Sequence, residues 1–432
     1  MDLVGKMDSF IQERQQFYRQ LDEFWHDLYQ TEYALYDIKT ISKTLMGDIK
    51  QATERIGHIF YKTANLLRNL DDDTLLQLGF PKETLSFIRL QTIAIESVIA
   101  RLDLVVLDNK IKLLEINSDT PTFIKEAFYV NGKVCEEFRL DNPNEGCEDQ
   151  LRNALKKAIQ LAALSIGKKE HAHVVFSSHG DHDEDRYTTH YLKRLIEMNS
   201  EFTSLSELRV VEKNVYENGQ LVLQRGLYDN QGRKVDILYR QTYPIEHLID
   251  DIDPISKDKV GQILLQFVKN QELAILNPPS AFLLQSKSIM ALIWGLYELE
   301  NSFYNAEELE WIGQYFLPTY LDEDAFIGQK CFVKKPSFGR EGDTVEIYSA
   351  TGEKVDKTPL QTYLDTLPIY QEFIALPTTS VKTERGMKEV HYMYGSFLVN
   401  GEASAFAIRA GGQITDNESY FLPVGIEKEG DE

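Results

Sequence analysis

The spacing of apolar residues predicts a helical start to the chain. Apolar positions from Phe10 to Leu28 recur at helical intervals, which predicts one long helix within residues 8–36. A second helical pattern runs from Ile41 to Leu67, and residues 84–99 predict a shorter helix. Together these patterns predict an N-terminal helical region over residues 1–80.

From residue 100 onward the pattern predicts strands that alternate with helices. Strands are expected at 100–107, 110–117, 173–177 and 235–240, and helices at 147–165, 184–198 and 286–298. After residue 325 the chain becomes strand-rich and glycine-rich. This order predicts a mixed α/β (α+β) fold, with an α/β substrate region over residues 81–280 and a third region over residues 281–432.

Two alternating segments on either side of Asp108-Asn109 predict a β-hairpin. On its second strand, a period of two sets Glu115 and Asn117 on the same side as Ile111 and Leu113. The register that joins apolar side to apolar side needs a loop of about three residues. In this register, charged and amide side chains collect at the open end of one face.

That polar cluster sets Arg101 opposite Asn117 and Asp103 opposite Glu115. Two carboxylates at such spacing repel, and one gains a proton unless a cation lies between them. Two carboxylates and an amide oxygen form an incomplete shell for Mg²⁺, whose other positions go to water and phosphate oxygens. The hairpin therefore indicates a metal site with Arg101 beside it. A solvated cluster of surface ion pairs is the alternative interpretation.

Residues 331–346, CFVKKPSFGREGDTVE, predict two strands joined by a glycine-containing loop over residues 336–343. Gly339 and Gly342 let backbone N–H groups approach phosphates, and Lys335 at the strand end can reach the same charge. The sequence contains neither a Walker loop nor a dinucleotide-binding motif. We interpret the loop as a phosphate lid, although a plain turn has the same composition.

Two further segments fit a nucleotide site. Residues 369–374 predict a short apolar strand whose backbone groups and Gln371 could meet an adenine or ribose. Residues 401–417 place Arg409 between a strand and a polar loop. Each segment is equally consistent with a core strand that ends in a polar turn.

Residues 179–185, HGDHDED, have the composition of a metal site, but not the spacing. Their order matches neither a zinc-binding helix nor a calcium-binding loop. We interpret them as a solvated loop that precedes a helix, with the acids at its positive end. A functional metal site is not expected there.

The composition and net charge of the chain limit the kinds of molecule that it is expected to bind. The chain is 43% hydrophobic with a formal net charge of −22, which argues against a nucleic-acid surface and is compatible with a cationic substrate such as a polyamine. No apolar run reaches the ~20 residues of a membrane span, and the start lacks a signal-peptide pattern. The cysteines have neither zinc nor disulfide spacing. We expect a cytoplasmic protein without nucleic-acid or membrane partners, and a homodimer is compatible with the sequence.

In combination these segments resemble the glutathionylspermidine synthase family, ATP-grasp ligases that join a carboxylic acid to an amine. The matching segments, in family order, are Arg101-Leu-Asp103, Leu114 to Thr122, Glu184-Asp-Arg-Tyr187, Leu238-Tyr-Arg240 with Tyr243-Pro244, Leu276-Asn-Pro-Pro279 with Lys287, Lys335-Pro-Ser-Phe-Gly-Arg-Glu-Gly342, Tyr370-Gln371 and Gly395 to Asn417. The resemblance implies an ATP-grasp fold behind a pre-ATP-grasp α/β domain and an N-terminal helical layer.

The resemblance also implies a role for each matching residue. Asp103, Glu115 and Asn117 would hold Mg²⁺, with two ions expected, and Arg101 would be the catalytic residue that steadies the transferring phosphoryl group. The implied ATP-binding residues are Lys287, Lys335, Gly339, Arg340, Glu341, Gly342, Gln371 and Arg409. Thr120 and Thr122 match positions that face the thiol-peptide substrate.

With ATP and Mg²⁺ as cofactors, the implied activity is acid–amine ligation through an acyl phosphate, with release of ADP and phosphate. The small-molecule acid and amine are left open, a peptide or thiol acid with a polyamine being one pairing. A catalytically silent ATP-binding regulatory module and a phosphotransferase are the alternatives. Because no cysteine precedes Cys135, the amidase activity of bifunctional family members is not expected.

Overall fold

The computed structural model describes residues 3–168 and 171–426 of the 432-residue chain. Its helices are α1 (Leu3–Tyr18), α2 (Lys43–Arg68), α3 (Asp72–Gln77), α4 (Leu85–Ile88), α5 (Asn131–Phe138), α6 (Cys147–Ser165), α7 (Asp183–Leu195), α8 (Ile245–Leu248), α9 (Val260–Lys269), α10 (Pro279–Gln285), α11 (Ser288–Glu298) and α12 (Ala306–Tyr315). In the described part of the chain, no helix has the length and apolar character that crossing a membrane requires.

The strands alternate with these helices at first and dominate the last quarter of the chain. They are β1 (Asp27–Leu28), β2 (Thr31–Glu32), β3 (Lys39–Ile41), β4 (Ile99–Leu107), β5 (Lys110–Asn117), β6 (Val174–Ser177), β7 (Glu201–Phe202), β8 (Arg209–Val211), β9 (Val215–Glu217), β10 (Gln220–Leu223), β11 (Gly226–Tyr228), β12 (Ile237–Arg240), β13 (Ala274–Leu276), β14 (Thr319–Tyr320), β15 (Phe332–Pro336), β16 (Glu346–Tyr348), β17 (Lys354–Lys357), β18 (Pro368–Glu372), β19 (Thr378–Thr383), β20 (Gly386–Val399), β21 (Glu402–Gly411), β22 (Tyr420–Leu422) and β23 (Val424–Ile426). This mixture confirms the predicted α+β class.

Three sheets organise the molecule. An antiparallel six-stranded sheet has the order β22-β21-β20-β4-β5, with β19 also paired to β20. A parallel four-stranded sheet has the order β13-β12-β6-β7, and an antiparallel five-stranded sheet the order β14-β18-β15-β16-β17. Because β4 pairs with β20, the hairpin from the middle of the chain shares a sheet with strands from its end. The division into three regions stays a prediction.

Of the three early helical patterns, the second is confirmed and the third is only partly confirmed. Helix α2 forms where the second pattern predicts it, with Ser42 as a cap that accepts a hydrogen bond from the Leu45 N–H at 3.1 Å. Its apolar face, including the fully buried Ile49, packs on the six-stranded sheet and α12. The helix predicted over residues 84–99 is wrong beyond its first turn, because α4 ends after four residues.

The long helix predicted within residues 8–36 is also wrong beyond Tyr18, where α1 ends. Residues 19–41 form turns and the short strands β1 to β3 instead. The fully buried guanidinium of Arg14 donates to the carbonyl oxygens of His26 at 2.6 Å and Ala34 at 2.9 Å. These bonds hold the segment folded back against α1, so its apolar residues are buried by tertiary contacts and not by a helical face.

Strands β4 and β5 form the predicted hairpin in the predicted register. Arg101 lies opposite Asn117, and Asp103 lies opposite Glu115. Asp103 is 1% exposed and Arg101 4% exposed, because the strands packed beside the hairpin cover its open end. The cluster is therefore enclosed by protein, and the interpretation as a solvated surface cluster does not hold.

A two-residue turn and a β-bulge replace the predicted loop of about three residues. Asp108-Asn109 adopt φ values of 50° and 59°, as a tight hairpin turn requires. Leu113 pairs with Leu104, and Leu114 is the extra residue of the bulge. The bulge reverses the alternation, so Ile111 and Leu113 enter the core with Leu104 and do not share the face of the polar cluster, as the sequence had predicted.

Candidate active site

A cavity lies between the β4–β5 hairpin, the five-stranded sheet and the loop of residues 336–343. The predicted site residues that line it are Arg101, Asp103, Glu115, Asn117, Thr122, Lys287, Lys335, Gly339, Arg340, Glu341, Gly342, Gln371 and Arg409. Thr120 lies just outside the lining and accepts hydrogen bonds from Arg340, at 2.9 Å to its hydroxyl and 2.7 Å to its carbonyl oxygen. Segments far apart in the sequence thus converge on one cavity.

Arg101 and Asp103 form a bidentate ion pair at one end of the cavity. Arg101 Nε donates to Asp103 Oδ1 at 2.7 Å, and Nη2 donates to Oδ2 at 3.1 Å. The remaining Arg101 nitrogen donates to the carbonyl and hydroxyl oxygens of Thr122 at 3.1 Å. Burial lowers the pKa of Arg101, but the charge of Asp103 and its hydrogen bonds outweigh this effect and raise the pKa overall. The guanidinium therefore stays protonated. Arg409 Nη1 lies 3.9 Å from Asp103 Oδ2.

Glu115 is held by a cation and an amide. Lys287 Nζ lies 3.2 Å from Glu115 Oε2, and Asn117 Nδ2 donates to Oε1 at 3.1 Å. Burial raises the pKa of Glu115, but the charges of Lys287 and Lys335 outweigh it and bring the pKa down to about 2. Glu115 is therefore ionised at neutral pH.

Lys335 extends from β15 into the same cavity. Its ammonium group donates to Gln371 Oε1 at 2.9 Å. Burial lowers the pKa of Lys335 to about 8, the charge of Lys287 acts in the same direction, and that of Glu115 opposes it. Lys335 thus changes its charge close to physiological pH, unlike an exposed lysine.

The hairpin supplies a donor set that fits Mg²⁺. In the described part of the chain, no cluster of three or more His, Cys, Asp or Glu side chains is arranged for a metal. A hairpin site would instead combine the carboxylates of Asp103 and Glu115 with the amide oxygen of Asn117. These are hard oxygen ligands at a cavity wall, with further positions open to phosphate. The carboxylates of Asp103 and Glu115 pair with Arg101 and Lys287 in this structure, and a bound metal ion would displace these two side chains.

The loop of residues 336–343 is folded over the cavity. Lys287 Nζ donates to the Gly339 carbonyl oxygen at 2.8 Å. Gly342 has a φ of 72°, and a Cβ there would lie 2.5 Å from the Thr415 carbonyl oxygen. Both the backbone conformation and the close approach require glycine. With the bonds from Arg340 to Thr120, these contacts bridge the loop to the hairpin side of the cavity.

Part of the cavity lining is apolar and was not predicted from the sequence. It is formed by Leu114, Val333, Ile347, Leu376 and Met393. Alternation predicts that such residues are buried, but it does not distinguish a core from a ligand pocket. Leu114 was assigned to the other face of the hairpin, and the bulge brings it to the cavity.

A second set of carboxylates, which we call the acidic group, comprises Glu126, Glu184, Asp185 and Glu341. Glu126 is fully buried and accepts a hydrogen bond from the Tyr33 hydroxyl at 2.6 Å through Oε1. Its Oε2 has no hydrogen-bond partner in the part of the chain that the structure describes. Burial raises the pKa of Glu126, and the Arg101 guanidinium lies close enough to act against this. The acidic group therefore adjoins the Arg101 end of the cavity.

Crowding within the acidic group is greatest at Glu184. Burial raises the pKa of Glu184 to about 8, and the charges of Glu126, Asp185 and Glu341 act in the same direction. The carboxylate of Asp185, whose Oδ2 lies 3.1 Å from His182 Nδ1, raises the pKa of His182 to about 9, so one imidazolium partly offsets these charges. Glu126 lies 58 residues from Glu184 in the chain, and no local pattern predicted that the two would be close.

Residues 179–185 form the loop and helix start that the sequence predicts, but Asp185 is only 2% exposed, so the segment is not solvated throughout. Helix α7 begins at Asp183, and its first turn carries three acidic residues at the positive end of the helix dipole. His182 Nδ1 lies 3.1 Å from Asp185 Oδ2, which is an ion pair and not a metal-binding arrangement.

The fold is that of glutathione synthetase-like proteins of the ATP-grasp type. A glutathione synthetase-like effector from Globodera pallida, solved in its apo form, aligns with a TM-score of 0.59 and 12% identity over 99% of this chain and 98% of its own. The chain belongs to the family described as glutathionylspermidine synthase preATP-grasp, whose model matches residues 8–427. A protein of Methylobacillus flagellatus KT, provisionally named a gamma-glutamylcysteine synthetase, aligns with a TM-score of 0.43 and 12% identity over 84% of this chain and 88% of its own. Membership of the family confirms the resemblance seen in the sequence and supports a carboxylate–amine ligase.

Proposed function

We propose that the protein is an ATP- and Mg²⁺-dependent ligase that joins a carboxylic acid to a cationic amine through an acyl phosphate. One observation carries the proposal. Oxygen donors suited to Mg²⁺, the cations Arg101, Lys287 and Lys335, and a glycine loop surround a cavity whose other wall is apolar. An adenine fits the apolar wall, and a triphosphate fits the cationic one.

In the first step, a carboxylate oxygen of the acid attacks the γ-phosphorus of ATP, the bond to the β-phosphate oxygen breaks, and ADP leaves. Lys287 and Lys335 bind phosphate oxygens, and Arg101 faces the transferring group. Asp103, Glu115 and Asn117 would hold Mg²⁺, which when bound neutralises phosphate charge. The loop of residues 336–343 excludes water from the acyl phosphate.

In the second step, the neutral nitrogen of the amine attacks the acyl carbon. The bond from this carbon to the phosphate oxygen breaks, phosphate leaves with the electron pair, and the nitrogen loses its proton to the departing phosphate. Negative charge develops on the carbonyl oxygen, and Arg101 is placed to stabilise it. Because the acidic group adjoins the Arg101 end of the cavity, we place the approach of the amine at that end.

The acidic group supports an amine that carries more than one nitrogen. Because the attacking nitrogen must be uncharged, a monoamine would offer these carboxylates no cation during the reaction. A di- or polyamine keeps a second ammonium group that can pair with Glu126 or Glu184. Such a cation would oppose the burial and the neighbouring charges that together raise the pKa of Glu184 to about 8.

Hydroxylamine trapping tests the proposal. Wild-type protein with Mg–ATP and pools of carboxylic acids and small peptides should release ADP and yield a hydroxamate when hydroxylamine replaces the amine. A phosphorylated product that gives no hydroxamate would favour the phosphotransferase. ATP binding without ADP release, across broad pools of acids and polyamines, would favour the silent regulatory module.

A further inference from the structure

The connection between β21 and β22 holds part of the cavity wall in place. Gln413, in this connection, donates from Nε2 to the Ile374 carbonyl oxygen at 3.2 Å. Its Oε1 accepts the Leu376 N–H at 3.0 Å. One side-chain amide therefore fixes two backbone groups in residues 373–377, the segment that follows β18. Gln413, Ile374 and Leu376 all line the cavity.

The segment of residues 373–377 is anchored in sheets at its two ends. At its start, the Phe373 N–H donates to the Cys331 carbonyl oxygen at 3.0 Å. At its end, the Pro377 carbonyl oxygen accepts the Tyr392 N–H at 3.0 Å. Between these anchors the backbone lies outside any strand. The two bonds from the glutamine amide therefore act on the part of the segment that neither sheet holds.

Strand β18 leads from the cationic end of the cavity to this segment. Gln371 in β18 accepts a hydrogen bond from the Lys335 ammonium group at 2.9 Å, and Ile374 follows three residues later. An extended chain advances about 3.3 Å per residue, so Ile374 lies ~10 Å farther along the wall. The chain of β21 runs the same way, from Arg409 at the cationic end to Gln413. If phosphates bind the cations, this contact lies where the nucleoside is expected.

The lining around this contact is apolar, as a site for a nucleotide base requires. It includes Phe373, Ile374, Leu376, Met393 and Ile414. Such a site holds a flat ring between apolar side chains and orients it with a few fixed polar groups. The cations at the other end contribute nothing to base affinity, because every nucleoside triphosphate carries the same phosphates. Affinity for the base therefore depends on how well residues 373–377 are held.

We propose that Gln413 is a positioning residue that holds residues 373–377 in the conformation that binds the nucleotide base. This inference rests on the proposed function, because it takes the cavity as a nucleotide site. Gln413 acts through the backbone of Ile374 and Leu376. A segment that is already ordered loses little conformational freedom when the base binds, and this raises the affinity for the base.

Calorimetric titration of the full-length protein with Mg–ATP, and separately with Mg–tripolyphosphate, tests the inference. Gln413→Met keeps the length of the side chain and removes both hydrogen bonds. Affinity for Mg–ATP should fall by ~5- to 10-fold, because the freed segment must then be ordered on binding. Affinity for tripolyphosphate, which has no base, should stay within about twofold of the wild type, because the cations are unchanged.

Gln150→Met is the matched control. Gln150 also donates to a backbone carbonyl oxygen, that of Ala403 at 3.3 Å, but this bond lies at the other end of β21 and outside the cavity lining. Neither titration should change in this variant.

Hydrogen exchange of the wild type gives a second measurement that needs no variant. Mg–ATP should slow the exchange of the amides in residues 373–377, and Mg–tripolyphosphate should leave it unchanged. Equal protection by the two ligands, or protection by neither, would overturn the inference.

Unchanged ATP affinity in Gln413→Met would also overturn it, as would an equal loss of ATP and tripolyphosphate affinity, which indicates a general structural role. Absence of Mg–ATP binding to the wild type would remove the inference together with the proposed function. The ligase activity is measured separately by hydroxamate formation. Hydroxamate formation with ATP affinity independent of Gln413 removes the inference alone. Selective loss of ATP affinity in Gln413→Met, without hydroxamate from the wild type, removes the ligase and keeps the base site.

Discussion

Glu115 and Glu184 are both partly enclosed carboxylates near one cavity, yet their pKa values move in opposite directions. Lys287 and Lys335 overcome the effect of burial and bring the pKa of Glu115 to about 2. Around Glu184, burial and the charges of Glu126 and Asp185 raise the pKa to about 8. The difference lies in the neighbours, because burial alone would raise both.

The comparison teaches what each end of the cavity can bind. At the Glu115 end, each carboxylate of the hairpin has a cation within 3.2 Å, so a metal–nucleotide complex would replace existing ion pairs with new ones. At the Glu184 end, carboxylates repel one another, and a cationic ligand would relieve that repulsion. At the Glu115 end a ligand would therefore replace existing ion pairs, whereas at the Glu184 end a cationic ligand would form an additional one.

The largest expected effect comes from removing Glu115. Glu115→Ala deletes a proposed metal ligand and leaves Lys287 and Lys335 facing each other without a carboxylate, so we expect turnover to fall by ~10³-fold or more. ADP release at saturating Mg–ATP measures it. The matched control is Asp108→Asn at the hairpin turn, where φ is 50° and asparagine is well tolerated, so its activity should be unchanged. Near-normal Mg²⁺-dependent turnover in Glu115→Ala would exclude the hairpin metal site.

Loss of Lys335 should weaken ATP binding more than catalysis. Lys335→Met removes an enclosed charge that we propose binds phosphate, and the dissociation constant for Mg–ATP should rise by on the order of 10- to 100-fold. Lys334→Met is the control, because Lys334 lies on the other face of β15 with its ammonium 3.9 Å from Glu346. Equal ATP affinity in the two variants would mean that the glycine loop and its strand bind no phosphate.

Lys335 should also make ATP affinity depend on pH. Because burial lowers the pKa of Lys335 to about 8, its charge is present below that pH and is lost above it. ATP affinity of the wild type should fall as pH rises past 8, by up to about tenfold per pH unit, since phosphate binding requires the protonated form. Lys335→Met should lack this step, and a wild-type affinity that stays flat from pH 7 to 9.5 would contradict it.

The smallest expected effect is at the other end of the comparison. Glu184→Gln should weaken spermidine binding by about tenfold at pH 8 and leave ATP binding unchanged. Asp183→Asn is the control, because Asp183 is exposed and pairs with Arg186 at 2.6 Å on the helix surface. Wild-type protein should also release a proton on binding spermidine at pH 7, since the ligand displaces the proton that Glu184 holds. Calorimetry in buffers of different ionisation enthalpy measures that release, and its absence would show that Glu184 does not meet the amine.

Much of the Glu115 end of the cavity was predictable from local sequence. The alternation of side chains along a strand predicted which residues of β4 share a face with Asp103. The Asp108-Asn109 turn predicted that β4 and β5 form a hairpin. The run from Lys335 to Gly342 predicted a strand and a glycine loop without any knowledge of the partner strands. These features follow from the backbone geometry of a few adjacent residues, which is why a single sequence contains them.

What the sequence determined by itself was therefore the pairing of the polar hairpin residues, helix α2 and the loop over the cavity. Tertiary structure alone decided the bulge at Leu114, because only the packing of Ile111 and Leu113 into the core selects it over a longer loop. It also decided that residues 19–41 fold back around Arg14, and that Glu126 and Glu341 lie close enough to Glu184 for their charges to raise its pKa. Those contacts join residues tens to hundreds of positions apart, and no local periodicity encodes a distance between distant segments.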